Sequence, residues 1–245
     1  MYKINVVKTQ KNKIKLKDSM KKGFITKYPS FNIIVGKSGS GKTNLLMSLL
    51  TKPELYGNFF DYVLYFSPTG KLDDTLKCLK LPKDNIVTEP DEYDDLLENI
   101  FEAQDKIIKK VGIRKASKVS KICLIFDDII GEREILKSKS LLRLASLGRH
   151  YLLHTFLLTQ SWTKVPRALR IQSMGIYLFP SSMSEVELLS NEYCPPNMSK
   201  KQFIKLVSDA TKDRYNFLFI NSFEPPDNRY RKNIDEVINL NNYKK

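Results

Sequence analysis

Short, nearly continuous apolar runs alternate along the chain with longer stretches whose apolar positions recur every three or four residues. The runs Phe31-Asn32-Ile33-Ile34-Val35, Tyr62-Val63-Leu64-Tyr65-Phe66, Ile122-Cys123-Leu124-Ile125-Phe126, residues 152–159, Gly175-Ile176-Tyr177-Leu178-Phe179 and residues 215–220 predict strands. Most carry apolar residues at consecutive positions, as strands buried on both faces of a parallel sheet do. Ser67-Pro68-Thr69-Gly70 stops the second run, and Ile86-Val87-Thr88 is a shorter strand. The stretches at 42–51, 72–79, 91–110, 133–147, 184–192 and 199–210 predict helices. The helix at 91–110 is acidic at its start and basic at its end, with Leu96, Leu97, Ile100, Ile107 and Ile108 on one face. Gly148 suits the C-cap of the 133–147 helix, and Cys194-Pro195-Pro196 separates the last two helices. Residues 111–121 read as a basic loop.

This alternation predicts an α/β fold with a mostly parallel central sheet and helices on both faces. The expected organisation is a basic, weakly patterned arm at 1–30, the α/β domain at 31–220 and a polar, proline-containing tail at 221–245. Within the arm, a short edge strand is the alternative.

A chain of 245 residues, 42% of them hydrophobic, can bury the core of one such domain. No run approaches the ~20 apolar residues of a membrane span, so no membrane partner is expected. The start, Met1-Tyr2-Lys3-Ile4-Asn5, lacks the apolar centre of a signal peptide. Cys78, Cys123 and Cys194 are widely spaced, fit no zinc pattern and read as reduced thiols. The net charge of +14 points to a polyanionic partner such as nucleic acid, although a lysine-rich solvated surface has the same composition. Two clusters favour a partner: Lys8, Lys11, Lys13, Lys15, Lys17, Lys21 and Lys22, and Lys106, Lys109, Lys110, Arg114, Lys115, Lys118 and Lys121.

Residues 36–43 read Gly-Lys-Ser-Gly-Ser-Gly-Lys-Thr, a complete phosphate-binding loop between a predicted strand and a predicted helix. Gly36, Gly39 and Gly41 let the backbone of Gly36, Lys37, Ser38, Gly39, Ser40 and Gly41 turn its N–H groups toward phosphate, aided by the helix N-terminus. Lys42 would reach the outer phosphates of ATP, and the Thr43 hydroxyl would ligate Mg²⁺.

The strand at 122–126 ends in Asp127-Asp128. A carboxylate there suits the Mg²⁺ side of such a site, which assigns Asp127 to the metal and Asp128 to activation of the attacking water. The same pair also suits a helix cap. Gln160 follows the apolar strand at 152–159, at the carboxyl edge where open α/β sheets bind ligands. It fits a contact to the γ-phosphate or the attacking water, and equally a plain loop position. Arg143, Arg149, Arg167 and Arg170 follow these elements, and any of them could serve as a finger donated to a neighbour's nucleotide.

Taken together, residues 36–43, 122–128, Gly148-Arg149-His150-Tyr151 and Thr159-Gln160 resemble the viral genome-packaging ATPases of the FtsK–HerA superfamily, in its poxvirus-type and virophage branch. The resemblance spans roughly residues 30–220 and looks most like the compact virophage enzymes. It implies a P-loop NTPase fold of the ASCE type and an ATP- and Mg²⁺-dependent hydrolase. It also implies a homo-oligomeric ring, usually a hexamer, that drives double-stranded DNA into a preformed capsid, in the virion or a cytoplasmic virus factory. Carried over, Lys42 and Thr43 bind phosphate and Mg²⁺, and Asp127 is the metal carboxylate. Asp128 stands where many members have glutamate. Gln160 is the sensor on a strand inserted between the loop strand and the acidic strand. Arg149 and Arg170 are the leading finger positions. The rival readings are a DNA helicase or segregation-type pump on the same core, a nucleoside or nucleotide kinase, and a basic capsid-associated protein with a vestigial loop.

Overall fold

The computed structural model describes residues 14–70, 74–131 and 133–243. Lys8, Lys11, Lys13 and the start of the helix expected at 72–79 lie outside them. In chain order the described elements are α1 (Asp18–Lys21), β1 (Phe31–Val35), α2 (Lys42–Thr51), β2 (Tyr62–Phe66), β3 (Ile86–Val87), α3 (Tyr93–Val111), α4 (Ile113–Val119), β4 (Ile122–Phe126), α5 (Arg133–Leu136), α6 (Lys139–Leu147), β5 (Leu153–Thr159), α7 (Arg167–Arg170), β6 (Gly175–Leu178), α8 (Met183–Tyr193), α9 (Lys200–Ala210), β7 (Leu218–Asn221), α10 (Pro226–Arg229), β8 (Tyr230–Lys232) and β9 (Glu236–Val237).

The strands form one sheet in the order β3-β2-β4-β5-β1-β6-β7-β8-β9. From β3 to β6 every pairing is parallel, and β7, β8 and β9 are added antiparallel. β5 therefore lies between β1 and β4, with Ile33 opposite Leu157 and Leu124 opposite Thr155. Alternate residues of each central strand feed two cores. Ile33, Leu124, Leu157 and Ile176 face α3, α6, α8 and α9. Ile34, Ile125, Phe156 and Tyr177 face α2, α4 and the segment around Met20, Ile25 and Tyr28. Because both faces are covered, β1, β4 and β5 are buried along their whole length, which is why their sequences do not alternate.

Four expectations change. The basic stretch at 111–121 is not a loop, for it holds α4, with Ala116 and Ser117 buried beneath its lysines. The helix expected over 133–147 is two helices, because the Ser138 side chain accepts from the Leu141 N–H and starts α6 afresh. The strand expected from 215 begins only at Leu218, since Tyr215 has φ 69°. The limits at 30/31 and 220/221 are not limits of packing. Met20, Ile25 and Tyr28 are buried, and the Lys17 ammonium donates to the carbonyls of Pro53 and Gly57 past the end of α2. At the other end β8 and β9 extend the sheet, Tyr230 donates to the Tyr193 carbonyl, and Arg231 donates to the Lys22 carbonyl. β9, the exposed edge strand, buries neither of its residues, so no buried apolar run marks it in the sequence.

Candidate nucleotide site

The phosphate loop leaves the carboxyl end of β1 and closes onto the N-terminus of α2. Gly36 still belongs to the sheet, its N–H donating to the Thr159 carbonyl at 3.1 Å. A Cβ at Gly36 would stand 2.5 Å from Ser40 Oγ and 2.7 Å from Phe179 Cβ, so only glycine fits. Gly39 and Gly41 have φ of 73° and 103°, the left-handed turns the loop needs before α2 can begin. The Lys42 ammonium donates to the carbonyls of Gly36 (2.8 Å) and Lys37 (3.1 Å), which keeps it folded over the loop. Burial lowers its pKa from the ordinary lysine value, against the opposing fields of Asp127 and Asp128.

Those two carboxylates come from the end of β4. The Asp127 N–H donates to the Phe66 carbonyl, and its carboxylate accepts from the Tyr65 hydroxyl on the neighbouring strand β2. Asp128 has φ 56°, which turns it out of the strand direction, and its Oδ1 accepts from Gln160 Nε2 at 3.2 Å. Gln160 follows β5, so the insertion of β5 between β1 and β4 is what brings it beside both. A cavity of about 390 Å³ is lined by Lys42, Thr43, Asp127, Asp128, Gln160 and Tyr215, which is the range of small-ligand sites. The same Asp128 and Gln160 border an adjoining cavity of about 680 Å³ that carries Lys137 and Lys164.

The loop after Gln160 is clamped from α8. Glu185 accepts from Ser161 Oγ, Thr163 Oγ1 and the Thr163 N–H, and Glu192 accepts from the Trp162 indole. Among the described residues no group of three or more His, Cys, Asp or Glu could hold a metal. The oxygen donors Thr43 and Asp127 across one cleft nevertheless fit Mg²⁺, which takes one or two protein oxygens and completes its shell with phosphate and water.

The arginines separate. Arg170 is buried, with its guanidinium donating to both oxygens of Glu192 and to the Val165 carbonyl. It is a strut of the clamped loop, and as it stands it cannot extend into a neighbouring molecule, which corrects its reading as a finger. Arg143 pairs with Glu98 and lies 4.3 Å from the Phe101 ring centre. Arg167 is exposed on α7. Arg149 is exposed in the turn Gly148–Tyr151, ahead of β5 and so at the edge of the sheet opposite the phosphate loop. There it borders a cavity of about 730 Å³ whose lining includes the apolar Phe31 and Leu153. None of the loop or acidic residues reaches that cavity.

Tyr65, Tyr215, Glu185 and Glu192 are the residues that sequence reasoning passes over. Tyr65 gives no signal without the β2–β4 pairing, and the glutamates read as an ordinary solvated helix face.

The profile of the poxvirus A32 protein family matches residues 19–236. No curated protein sequence matches. Among solved structures, the fold resembles the genome packaging NTPase B204 from Sulfolobus turreted icosahedral virus 2 in complex with AMP, at TM-score 0.53 and 18% identity over 80% of this chain and 93% of that one. It also resembles B204, the DNA-packaging ATPase from Sulfolobus turreted icosahedral virus, at TM-score 0.55 and 15% identity over 80% and 94%. The cytoplasmic domain of the Thermomonospora curvata type VII secretion ATPase EccC follows at TM-score 0.51 and 16% identity, over 80% of this chain and 24% of that one. At these identities the likeness is one of fold, that of the P-loop NTPases.

Proposed function

The chain belongs to the poxvirus A32 protein family, and from that premise we propose that it is an ATP-hydrolysing motor that moves double-stranded DNA into a viral capsid. One observation carries the reading. A single cleft gathers a phosphate loop with its lysine and threonine, a carboxylate at the end of β4, and the Asp128–Gln160 pair.

In this reading the backbone of residues 36–43 and the Lys42 ammonium hold the phosphates of ATP. Thr43 and Asp127 would hold Mg²⁺, which would supply charge neutralisation at the transferred phosphate. Tyr65 fixes the Asp127 carboxylate through its hydroxyl. Asp128 accepts the proton of the attacking water, and Gln160 orients Asp128 through its amide and reports the state of the nucleotide to the loop behind it. The residues that handle nucleotide all lie within 31–220, and the flanking segments complete the sheet and core.

Arg149 is the finger. A ring assembled head to tail sets the edge of one subunit that carries Arg149 against the phosphate edge of the next, and the guanidinium then stabilises transition-state charge there. Such a ring, with six subunits favoured, encloses DNA and touches its phosphates rather than its bases, as sequence-blind packaging requires. The partners are double-stranded DNA, further copies of the chain and a capsid component, in the virion or a cytoplasmic virus factory. The net positive charge of the chain, +14, suits the DNA.

Steady-state ATP hydrolysis with and without long double-stranded DNA tests the proposal. Hydrolysis should rise with DNA and fall by roughly 10² or more in Lys42→Ala and Asp127→Asn, without separation of a forked duplex. Turnover that survives Lys42→Ala, or that ignores DNA and needs a small phosphate acceptor, would sink it.

A further inference from the structure

Tyr215 stands at the phosphate edge because the sheet reverses there. β6 runs parallel to β1 and ends beside the loop, while β7 runs back against β6. The turn that feeds β7 therefore arrives where the parallel strands end, and Tyr215 is in that turn. It lines the cleft that holds Lys42, Thr43 and Asp127. Its ring reaches the loop itself, with Cδ1 3.3 Å from where a Cβ on Gly41 would be.

Three features mark this side chain as presented rather than merely packed. Tyr215 has φ 69°, a left-handed conformation that bulky residues rarely adopt. It is 50% exposed although it lines a cleft. The Arg214 guanidinium lies over its ring, 4.7 Å from the centre, so the ring comes with a cation already against it. The turn is held from the opposite side. Asn216 Nδ2 donates to Asp213, Asn233 Nδ2 donates to Asn216 Oδ1, the Phe217 N–H donates to Asn233 Oδ1, and Lys232 pairs with Asp213. A strained aromatic on an anchored turn is a preorganised surface.

We propose that Tyr215, backed by Arg214, is the platform on which the nucleobase of the bound nucleotide stacks. The inference rests on the phosphate-loop reading and adds to it the part of the ligand that the loop does not hold. The loop, Lys42 and Thr43 are polar and bind by charge. Beside them the cleft offers an aromatic face, which is what a base requires and a phosphate does not. Stacking uses the flat face that every base has.

Calorimetry with two probes separates the base from the phosphates: ADP, and inorganic tripolyphosphate, which has no base. Tyr215→Ala should raise the Kd for ADP roughly tenfold or more, the usual effect of removing one base–aromatic stack, and leave tripolyphosphate unchanged. Tyr215→Phe should bind both like the wild type, and Lys42→Ala should weaken both. Equal ADP affinity in wild type and Tyr215→Ala overturns the proposal. So does an equal loss for both probes, which would make Tyr215 a support for the loop. A wild-type protein that binds neither probe overturns the phosphate-loop reading itself, and the base platform with it. Thermal melts of each variant establish that the fold is retained.

Discussion

At the scale of single residues, the least expected feature is a polar network inside the central strands. His154 of β5 is fully buried, within 3.2 Å of Asn32 Nδ2 and 3.4 Å of Ser30 Oγ, and surrounded by Tyr28, Tyr56, Phe60 and Phe156. Thr26 donates to Asn32 Oδ1, and Ser30 Oγ donates to Thr26. Gly175 on β6 makes room for the network, since a Cβ there would fall 2.4 Å from Asn32 Oδ1. An imidazole shut away from solvent resists taking a proton, so burial pushes the His154 pKa down to about 3. The unfolded chain takes up that proton at the ordinary histidine pKa, near 6.5, whereas the folded chain does not. The stability associated with neutral His154 is thus complete above pH 6.5 and drains away as the pH falls toward 3, at about 1.4 kcal/mol per pH unit for one proton. Denaturant melts between pH 7 and pH 4 should show this slope. His154→Gln, which cannot titrate, should have a slope shallower by nearly one proton, and an unchanged slope would place the acid sensitivity elsewhere.

At the scale of elements, the junction of α3 and α4 shows how one residue sets the display of several charges. Gly112 has φ 77° and ψ 154°, a region that only glycine enters readily. It lets α3 stop at Val111 and α4 begin at Ile113 in a new direction, with Ala116 inserted into the core. Lys106, Lys109 and Lys121 are engaged by Glu102, Asp105 and Asp61. Lys110, Arg114, Lys115 and Lys118 are exposed and, among the described residues, have no ion-pair partner. The basic cluster is therefore smaller than the composition suggests, and α4 carries most of what remains. A Cβ at Gly112 would meet nothing within 4 Å, so Gly112→Ala costs only backbone strain. The expected loss is about 1–3 kcal/mol, seen as a melting temperature lower by roughly 2–4 °C per kcal/mol. A melt equal to wild type would mean that the turn relaxes freely.

At the scale of the whole molecule, the two edges of the parallel sheet carry different chemistry. The carboxyl edge holds the phosphate loop, Asp127, Asp128 and Gln160, and the amino edge holds Arg149. A group on the far edge cannot serve its own nucleotide, but it can serve the next subunit's. Mixing Lys42→Ala with Arg149→Ala subunits tests this. Each variant alone should be inactive. In mixed rings, interfaces with an intact loop from one subunit and an intact arginine from the other should recover hydrolysis, and no recovery at any ratio would exclude Arg149 as the finger. A separate set of variants tests whether the exposed lysines of α3 and α4 contact DNA. Reversal of Lys110, Lys115 and Lys118 to glutamate should weaken DNA binding and flatten its dependence on salt, by roughly 0.9 in slope for each DNA phosphate no longer neutralised.

The sequence alone determined the features that local chemistry dictates. Residues 36–43 form a tight turn between a strand and a helix, because their three glycines admit the left-handed backbone that such a turn needs. The runs at 31–35, 122–126 and 152–159 read as buried strands, because apolar residues fall on both of their faces. The alternation of strand and helix made the sheet mostly parallel, and the α/β fold followed. What the tertiary structure alone decided is which of these pieces meet. Strand order placed Gln160 beside Asp128, the β2–β4 register gave Asp127 its tyrosine, and the reversal of β7 carried Tyr215 to the loop. Packing also divided the arginines, turning Arg170 into a buried partner of Glu192 and leaving Arg149 on the opposite edge. These pairings span tens of residues of chain, and a side chain carries no local mark of the neighbour that will neutralise, orient or expose it.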